Sequence, residues 1–191
     1  MLKRGCLLAL VCIPLSFGSA MAAHSSIGAN YGITIYHPKV GDNTTIIGFP
    51  ASVLTFQPGI RMGVSDDKMQ NELYFDTGFS LLSGSGGVHT FEVTANYLRA
   101  LTPEKLSSPY VTAGIGAFLA GTDAGFGGNT SAVSAVFGAG LGLRAKLENG
   151  HGAIRVEARV DRITEGKDRG AEVISSATLF GVKGGFDLFL K

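Results

Sequence analysis

The chain is notable first for what it lacks. It has no tryptophan, and its only two cysteines are Cys6 and Cys12. Charged residues make up 16% of the 191 positions, against about 25% in ordinary soluble domains. No run of 18 apolar residues occurs, which excludes a protein that crosses a membrane with helices. Beyond Cys12 neither a disulfide nor a cysteine-ligated metal site can form.

The N-terminus is typical of a secretory signal peptide. A basic pair, Lys3 and Arg4, precedes an apolar run, and small residues follow up to Ala23. We therefore predict that residues 1–23 are removed and that residues 24–191 form one mature domain. Removing the basic pair from the 16 basic residues leaves 14 against 15 acidic ones. This near-neutral balance gives no indication of nucleic-acid binding.

The chain is rich in glycine, with 28 residues, and its apolar and polar side chains alternate along many segments. From Val133 to Leu147 every odd position is apolar, while most of the even positions are small or charged. A period of two predicts β-strands, and no segment indicates an amphipathic helix. The alternation predicts eight strands, near residues 27–36, 56–64, 72–81, 90–97, 110–119, 133–147, 154–161 and 180–190.

The polar faces of these strands carry equal numbers of the two charges. A solvated face is usually rich in lysine and glutamate, whereas these faces carry glycine, serine, threonine and a few balanced charges. Burying an unpaired charge costs several kcal/mol, so the balance favours faces that enclose a narrow, filled interior. We predict a charge network in that interior, formed by Arg61, Arg144, Lys146, Arg155, Arg159 and Lys183 with Glu72, Asp76, Glu92, Glu157, Asp161 and Asp187.

The predicted fold is therefore all-β: a closed antiparallel up-and-down transmembrane β-barrel of about eight strands, with ten as the alternative count. Every backbone polar group in lipid must be paired, so the strands must close on themselves. An even number of strands places both termini in the periplasm. The long connections at 37–53 and 121–130 are predicted to be external and to contact an external ligand or a host surface. Glycines on the polar face, such as Gly138 and Gly142, are expected to make room for long inner side chains.

Two segments resemble a known family. Ser108-Pro-Tyr-Val-Thr-Ala-Gly-Ile-Gly-Ala117 is similar to the Pro-Tyr-x-x-x-Gly-x-Gly strand of small eight-stranded outer-membrane proteins. The stretch from Phe137 to Arg144, followed by Ile154 to Asp161, is similar to the next hairpin of that family. The family includes the transmembrane domain of outer membrane protein A and the opacity proteins. The resemblance implies a porin-like barrel in the outer membrane of a Gram-negative cell.

The expected role is that of a non-enzymatic, monomeric outer-membrane protein, either structural or interacting with surfaces through its external loops. The four histidines of the mature segment, His24, His37, His89 and His151, are scattered, and no cluster has metal-ligand spacing. No catalytic residue, cofactor or metal site is predicted. Three alternatives stay open: a small pore, a lipid-modifying outer-membrane enzyme, and a soluble periplasmic ligand-binding barrel with its apolar faces inward.

Overall fold

The computed structural model describes residues 24–38, 46–48, 59–82, 87–124 and 128–190. The predicted signal peptide lies outside the described residues. Among the described residues, no helix is long and apolar enough to cross a membrane.

Eight strands form one closed antiparallel barrel. Strands adjacent in the barrel pair in chain order, and the last pairs with the first from Ser25↔Leu190 to Pro38↔Ala177, which closes the sheet. The prediction of a closed eight-stranded barrel is confirmed. The barrel strands are β1 His24–Pro38, β3 Gly59–Ser65, β4 Asn71–Leu82, β5 Gly87–Ala100, β6 Ser107–Ala124, β7 Gly128–Lys146, β8 Gly152–Ile163 and β11 Ala177–Leu190, and three short strands are β2 Ile46–Gly48, β9 Gly166–Asp168 and β10 Ala171–Ile174.

The strands are strongly tilted. Register partners of Gly28, followed from strand to strand around the barrel, lead back to β1 at Pro38, ten residues further along. A stagger of ten in eight strands corresponds to a tilt of about 40° and a backbone diameter of about 16 Å. An interior of this width holds side chains rather than an open channel.

The two ends of the barrel differ. One end, here the turn end, holds residues 24 and 190 and the short connections 66–70, 101–106 and 147–151. The opposite end, the loop end, holds the β9–β10 hairpin and the tip of the β6–β7 hairpin.

The predicted loop at 121–130 is largely strand. β6 and β7 pair continuously from Ser107↔Ala145 to Ala124↔Gly128, so that only 125–127 separate them. The glycine-rich sequence looked like a loop, but a ladder is held by backbone hydrogen bonds that need no particular side chain. From the register and the tilt, this hairpin rises about 10 Å beyond the loop-end limits of β1 and β11.

Alternation along each strand separates two faces. The outward face is apolar and exposed, with one example per strand being Ile33, Met62, Leu73, Tyr97, Ile115, Leu141, Val156 and Val182. Along the barrel axis this band measures about 25 Å, the height of the apolar band of transmembrane barrels. The inward face is largely polar and buried, with Asn30, Arg61, Tyr74, Asn96, Thr112, Arg144, Arg155 and Asp187 as the corresponding examples.

Candidate functional site: the barrel interior

The best-defined contact inside the barrel joins β8 to β11. Arg155 donates from Nε to Oδ2 of Asp187 at 2.7 Å and from Nη2 to Oδ1 at 3.0 Å. Both side chains are buried. Two parallel bonds between a guanidinium and a carboxylate are the strongest form of an ion pair. The pair therefore compensates the cost of removing both charges from water.

A second group of charges lies nearer the turn end. Arg144 donates from Nη1 to Oε2 of Glu72 at 2.7 Å, and Nε of Arg61 lies 3.8 Å from the other carboxylate oxygen. The guanidinium of Arg61 also stacks on the ring of Tyr74, 3.2 Å from its centroid. Arg61 and Arg144 are each only 1% exposed. The Glu72 carboxylate and the face of the Tyr74 ring thus stabilise two buried cations, Arg61 and Arg144.

A third group lies along β8 itself. Arg159 donates from Nε to Oδ1 of Asp161 at 2.7 Å and from Nη1 to Oε1 of Glu157 at 3.4 Å. These residues are two apart, so they share the inner face of one strand. Glu157 also accepts from the Tyr110 hydroxyl at 3.2 Å and the Thr112 hydroxyl at 3.3 Å, both on β6.

The remaining members of the proposed network make fewer contacts with opposite charges. Asp76 accepts a hydrogen bond from Nδ2 of Asn30 at 2.8 Å. Among the described residues, neither Lys183 nor Glu92 has an ion-pair partner within 4 Å. Lys146 donates to the carbonyl of Pro103 at 2.6 Å, and within the described part of the chain it has no ion-pair partner within 4 Å.

At the turn end, arginine and lysine fasten the short connections to the wall. Arg144 donates from Nη2 to the carbonyl of Met69 at 2.6 Å, and Met69 has a left-handed backbone, with φ of 53°. That conformation is rare for a residue with a side chain, and here the carbonyl of Met69 is the acceptor for a buried guanidinium. Beside these bonds lies a buried cluster formed by Tyr74, Leu98, Ala100 and Tyr110.

At the loop end, the interior changes from charged to apolar. The β9–β10 hairpin supplies Ile174 to a buried cluster that we call the apolar plug: Phe118, Ala132, Val136, Ile163, Ile174 and Leu179. The hairpin is fixed to β7 because the amide of Thr164 donates to the Ala135 carbonyl and the Thr164 hydroxyl accepts from the Ala135 amide, each at 2.9 Å.

Sequence reasoning missed this plug, yet a signal for it was present. Phe118 and Val136 lie on the polar side of the alternation in β6 and β7, close to the loop end. A large apolar residue among inward positions indicates an inner apolar layer. The hairpin that completes the layer could not be read from periodicity, because β9 and β10 have only three and four residues.

Inner-face glycines leave space that neighbouring side chains occupy. A Cβ on Gly138 would overlap Oδ1 of Asp161 and the carbonyl of Val160. A Cβ on Gly142 would overlap the ring of Tyr110. The expectation was that such glycines make room for long arginine and lysine side chains, whereas at these two positions an aspartate and a tyrosine use the space.

The interior thus has three layers: fastened turns, paired charges and an apolar plug. Such an arrangement can hold the barrel rigid and resist the passage of water. Among the described residues, no group of three or more His, Cys, Asp or Glu side chains could hold a metal ion.

Comparisons with known proteins agree with this geometry. No family model matches the chain, and no curated protein sequence matches it either. Solved structures do match. The crystal structure of Neisserial surface protein A superposes with a TM-score of 0.62 at 13% identity, over 86% of this chain and 96% of that one. The chain has the fold of the small eight-stranded outer-membrane β-barrels.

A second barrel of this type is also similar. Ail, the attachment invasion locus protein of Yersinia pestis, superposes with a TM-score of 0.50 at 16% identity, over 89% of this chain and all of that one. Ail in complex with the heparin analogue sucrose octasulfate superposes with a TM-score of 0.51 at 15% identity, over the same shares of the two chains. At these identities the likeness concerns the fold of the barrel.

Proposed function

We propose that this protein is exported through its signal peptide (residues 1–23) and resides in the bacterial outer membrane. There it acts as a non-enzymatic barrel that strengthens the membrane and presents its loop end to the surroundings. The observation that carries this proposal is the distribution of side chains between the two faces. Buried arginines, such as Arg144 and Arg155, point inward, while apolar residues such as Ile115, Leu141 and Val156 point outward and are exposed. A lipid surrounding stabilises such an exposed apolar band, as it does in transmembrane barrels.

Membrane location is tested by fractionating cells that express the full chain. The protein is expected in the outer-membrane fraction after a carbonate wash, and folded protein should migrate differently from boiled protein on a gel. A periplasmic soluble protein serves as the fractionation control. Recovery of the chain with that control would contradict the proposal and favour the soluble ligand-binding barrel.

The filled interior favours a barrel that does not conduct ions. Ions would have to pass both the paired charges around Arg155 and the apolar plug around Ile174, and a filled, partly apolar path conducts poorly. Purified protein in planar bilayers is therefore expected to give no stable single-channel steps above background. Steps of constant size at low voltage would establish the pore alternative instead.

The tall β6–β7 hairpin is the best-supported contact surface. It extends beyond the other strands, and the external partner was predicted at 121–130 and at 37–53, much of which lies outside the described residues. Ail has been solved with a heparin analogue. In this chain, the described β9–β10 hairpin has mixed charge, with Lys167 paired to Glu165 at 2.6 Å, which gives little support for a polyanionic ligand.

The contact role is tested by trimming the hairpin. Removing 121–124 and 128–131 shortens it symmetrically and leaves the apolar band intact. Cells expressing the trimmed barrel should keep the heat-dependent gel shift and bind host-cell layers less than cells expressing the full barrel. Equal binding by both would remove the hairpin from the proposed contact surface.

A further inference from the structure

Among the described side chains of the barrel strands, few charges face outward, and those that do have one sign. Fourteen charged residues of the eight barrel strands have described side chains, and twelve of these point inward or into the turn end. The two exceptions are Arg99 on β5 and Arg162 on β8, whose positions in the alternation face outward with the apolar residues. Both are cationic.

These two arginines lie near opposite edges of the apolar band. Arg99 is the second-last residue of β5, at the turn end, and Arg162 is the second-last residue of β8, at the loop end. From the register and tilt, their Cα atoms are separated by about 20 Å along the barrel axis. Long side chains that extend away from the band's centre add several ångströms on each side. Arg162 is therefore at the depth where lipid headgroups begin.

The surroundings of Arg162 hold it in place. Its Nη1 donates to the hydroxyl of Thr178 at 2.8 Å, and the side chain is half-buried. Its register neighbours are Thr178 on β11 and Phe137 on β7, and Phe180 lies one outward step from Thr178. One of the five guanidinium donors is used by this bond. Within the described part of the chain, no carboxylate lies within 4 Å of Arg162.

A guanidinium without an ion-pair partner at this depth is stabilised by a nearby anion. Arginine on the lipid face of a barrel is costly near the membrane centre and tolerated near the headgroups. The anion available there is phosphate, whose oxygens match the fork of guanidinium donors. The flanking apolar surface of Phe137 and Phe180, each about half exposed, suits the acyl chains below such a headgroup.

We propose that Arg162 binds the phosphate group of a lipid in the leaflet at the loop end of the barrel. Thr178 positions the guanidinium, and the two phenylalanines contact the acyl chains. In the proposed orientation this leaflet faces the cell exterior, so the inference depends on the proposed function.

The experiment compares lipid retention by the full barrel and two single variants. Purified protein is mixed in detergent with lipid A that carries its phosphates, or with the same lipid after enzymatic dephosphorylation, and retained lipid is counted by native mass spectrometry. R162Q removes the proposed ligand. R99Q removes the same charge from the other edge of the band, where the side chain is exposed and is therefore a matched control.

Retention of phosphorylated lipid should fall about fivefold in R162Q, from the usual contribution of one cation near a headgroup. R99Q should retain phosphorylated lipid as well as the wild type does. Wild-type protein should retain the dephosphorylated lipid poorly. Equal loss in both variants, or no loss in R162Q, would overturn the proposal. Displacement of the lipid by 50-fold excess inorganic phosphate would also overturn it, because the site would then select a free anion rather than a lipid.

Failure of this inference can be separated from failure of the proposed function. Each variant is first assayed for the heat-dependent gel shift in vesicles. If wild-type protein does not insert, the membrane role fails. If wild type and both variants insert alike but retention does not depend on Arg162, the lipid site alone fails.

Discussion

At the scale of single residues, several buried charges of the interior are stabilised by pairing with an opposite charge. Arg155 and Asp187 are both buried and share two hydrogen bonds. Removing one partner leaves the other uncompensated, which typically costs 3–5 kcal/mol. We predict that Arg155→Leu lowers the free energy of unfolding by about 3 kcal/mol, measured by urea titration in detergent micelles.

The double variant is the control for that prediction. Replacing both Arg155 and Asp187 by leucine removes both buried charges, so it should be less destabilising than either single change. If the loss of stability in the double variant equalled the sum of the losses in the two single variants, the two side chains would not be acting as a pair.

Two glycines offer a matched comparison between the inner and outer faces. A Cβ on Gly138 would overlap Asp161 and a backbone carbonyl, whereas a Cβ on Gly184 would meet only the Tyr31 carbonyl at 3.8 Å. Gly138→Ala should therefore destabilise the barrel by about 1–3 kcal/mol. Gly184→Ala should be neutral or slightly stabilising, because alanine costs less conformational entropy in a strand. Equal effects in urea titrations would contradict the assignment of the two faces.

Asp66 gives a prediction about pH at the turn end. Partial burial alone would raise the pKa of this carboxyl, but hydrogen bonds from the Asn71 side chain and from the amides of Gln70 and Asn71 outweigh it, so the pKa lies below its ordinary value. A lowered folded pKa stabilises above the unfolded pKa, and this contribution disappears as the pH falls through the folded value. Asp66→Asn should thus be less stable than wild type near pH 7, and the difference should shrink on acidification. A difference that is constant with pH would show that these hydrogen bonds do not depend on the charge.

The sequence predicts the face of the strand on which a side chain lies better than it predicts the residue that the side chain contacts. Alternation predicts which way a side chain points, and the twelve charged positions were chosen on that ground. Partners depend on the stagger between strands, which no single strand contains. For this reason Lys146 was grouped with the carboxylates, although it lies at the turn end and binds the Pro103 carbonyl.

At the scale of elements, the β9–β10 hairpin closes the loop end. Ile174 is 7% exposed and packs within the apolar plug, while Glu172 on the same strand is exposed. Ile174→Ala should destabilise the barrel by about 2–4 kcal/mol. Glu172→Ala should change stability by less than about 0.5 kcal/mol. Thermal unfolding of both variants in detergent measures this, and similar midpoints would show that the hairpin does not pack into the interior.

Element boundaries were harder to predict than element existence. All eight barrel strands were identified from their alternation, yet several extend well past the predicted limits, most clearly β6 and β7. Backbone pairing continues through Gly121 and Thr122 because the neighbouring strand supplies every partner. The alternation of apolar and polar side chains ends at the edge of the apolar band, so strand ends predicted from that alternation also fall there.

At the scale of the whole molecule, closure and stagger set the function that the barrel can support. Eight strands staggered by ten residues enclose an interior about 16 Å across between backbones. Inner side chains from all eight strands meet within that width, which is why charges on distant strands such as β4 and β7 come together at Glu72 and Arg144. Strand count and closure were predictable from alternation and length, whereas the stagger required the register of every pair.

The claim on which the account depends is that the apolar face of the strands contacts lipid. Residues 24–191 contain no cysteine, so a single nitroxide label can be placed in that segment through Leu141→Cys, an outward position that is 67% exposed on β7. In reconstituted vesicles, the label is predicted to collide readily with oxygen, which dissolves in the hydrocarbon, and rarely with a water-soluble nickel complex. Low accessibility to both reagents would mean that this face packs in a protein core and would contradict the account.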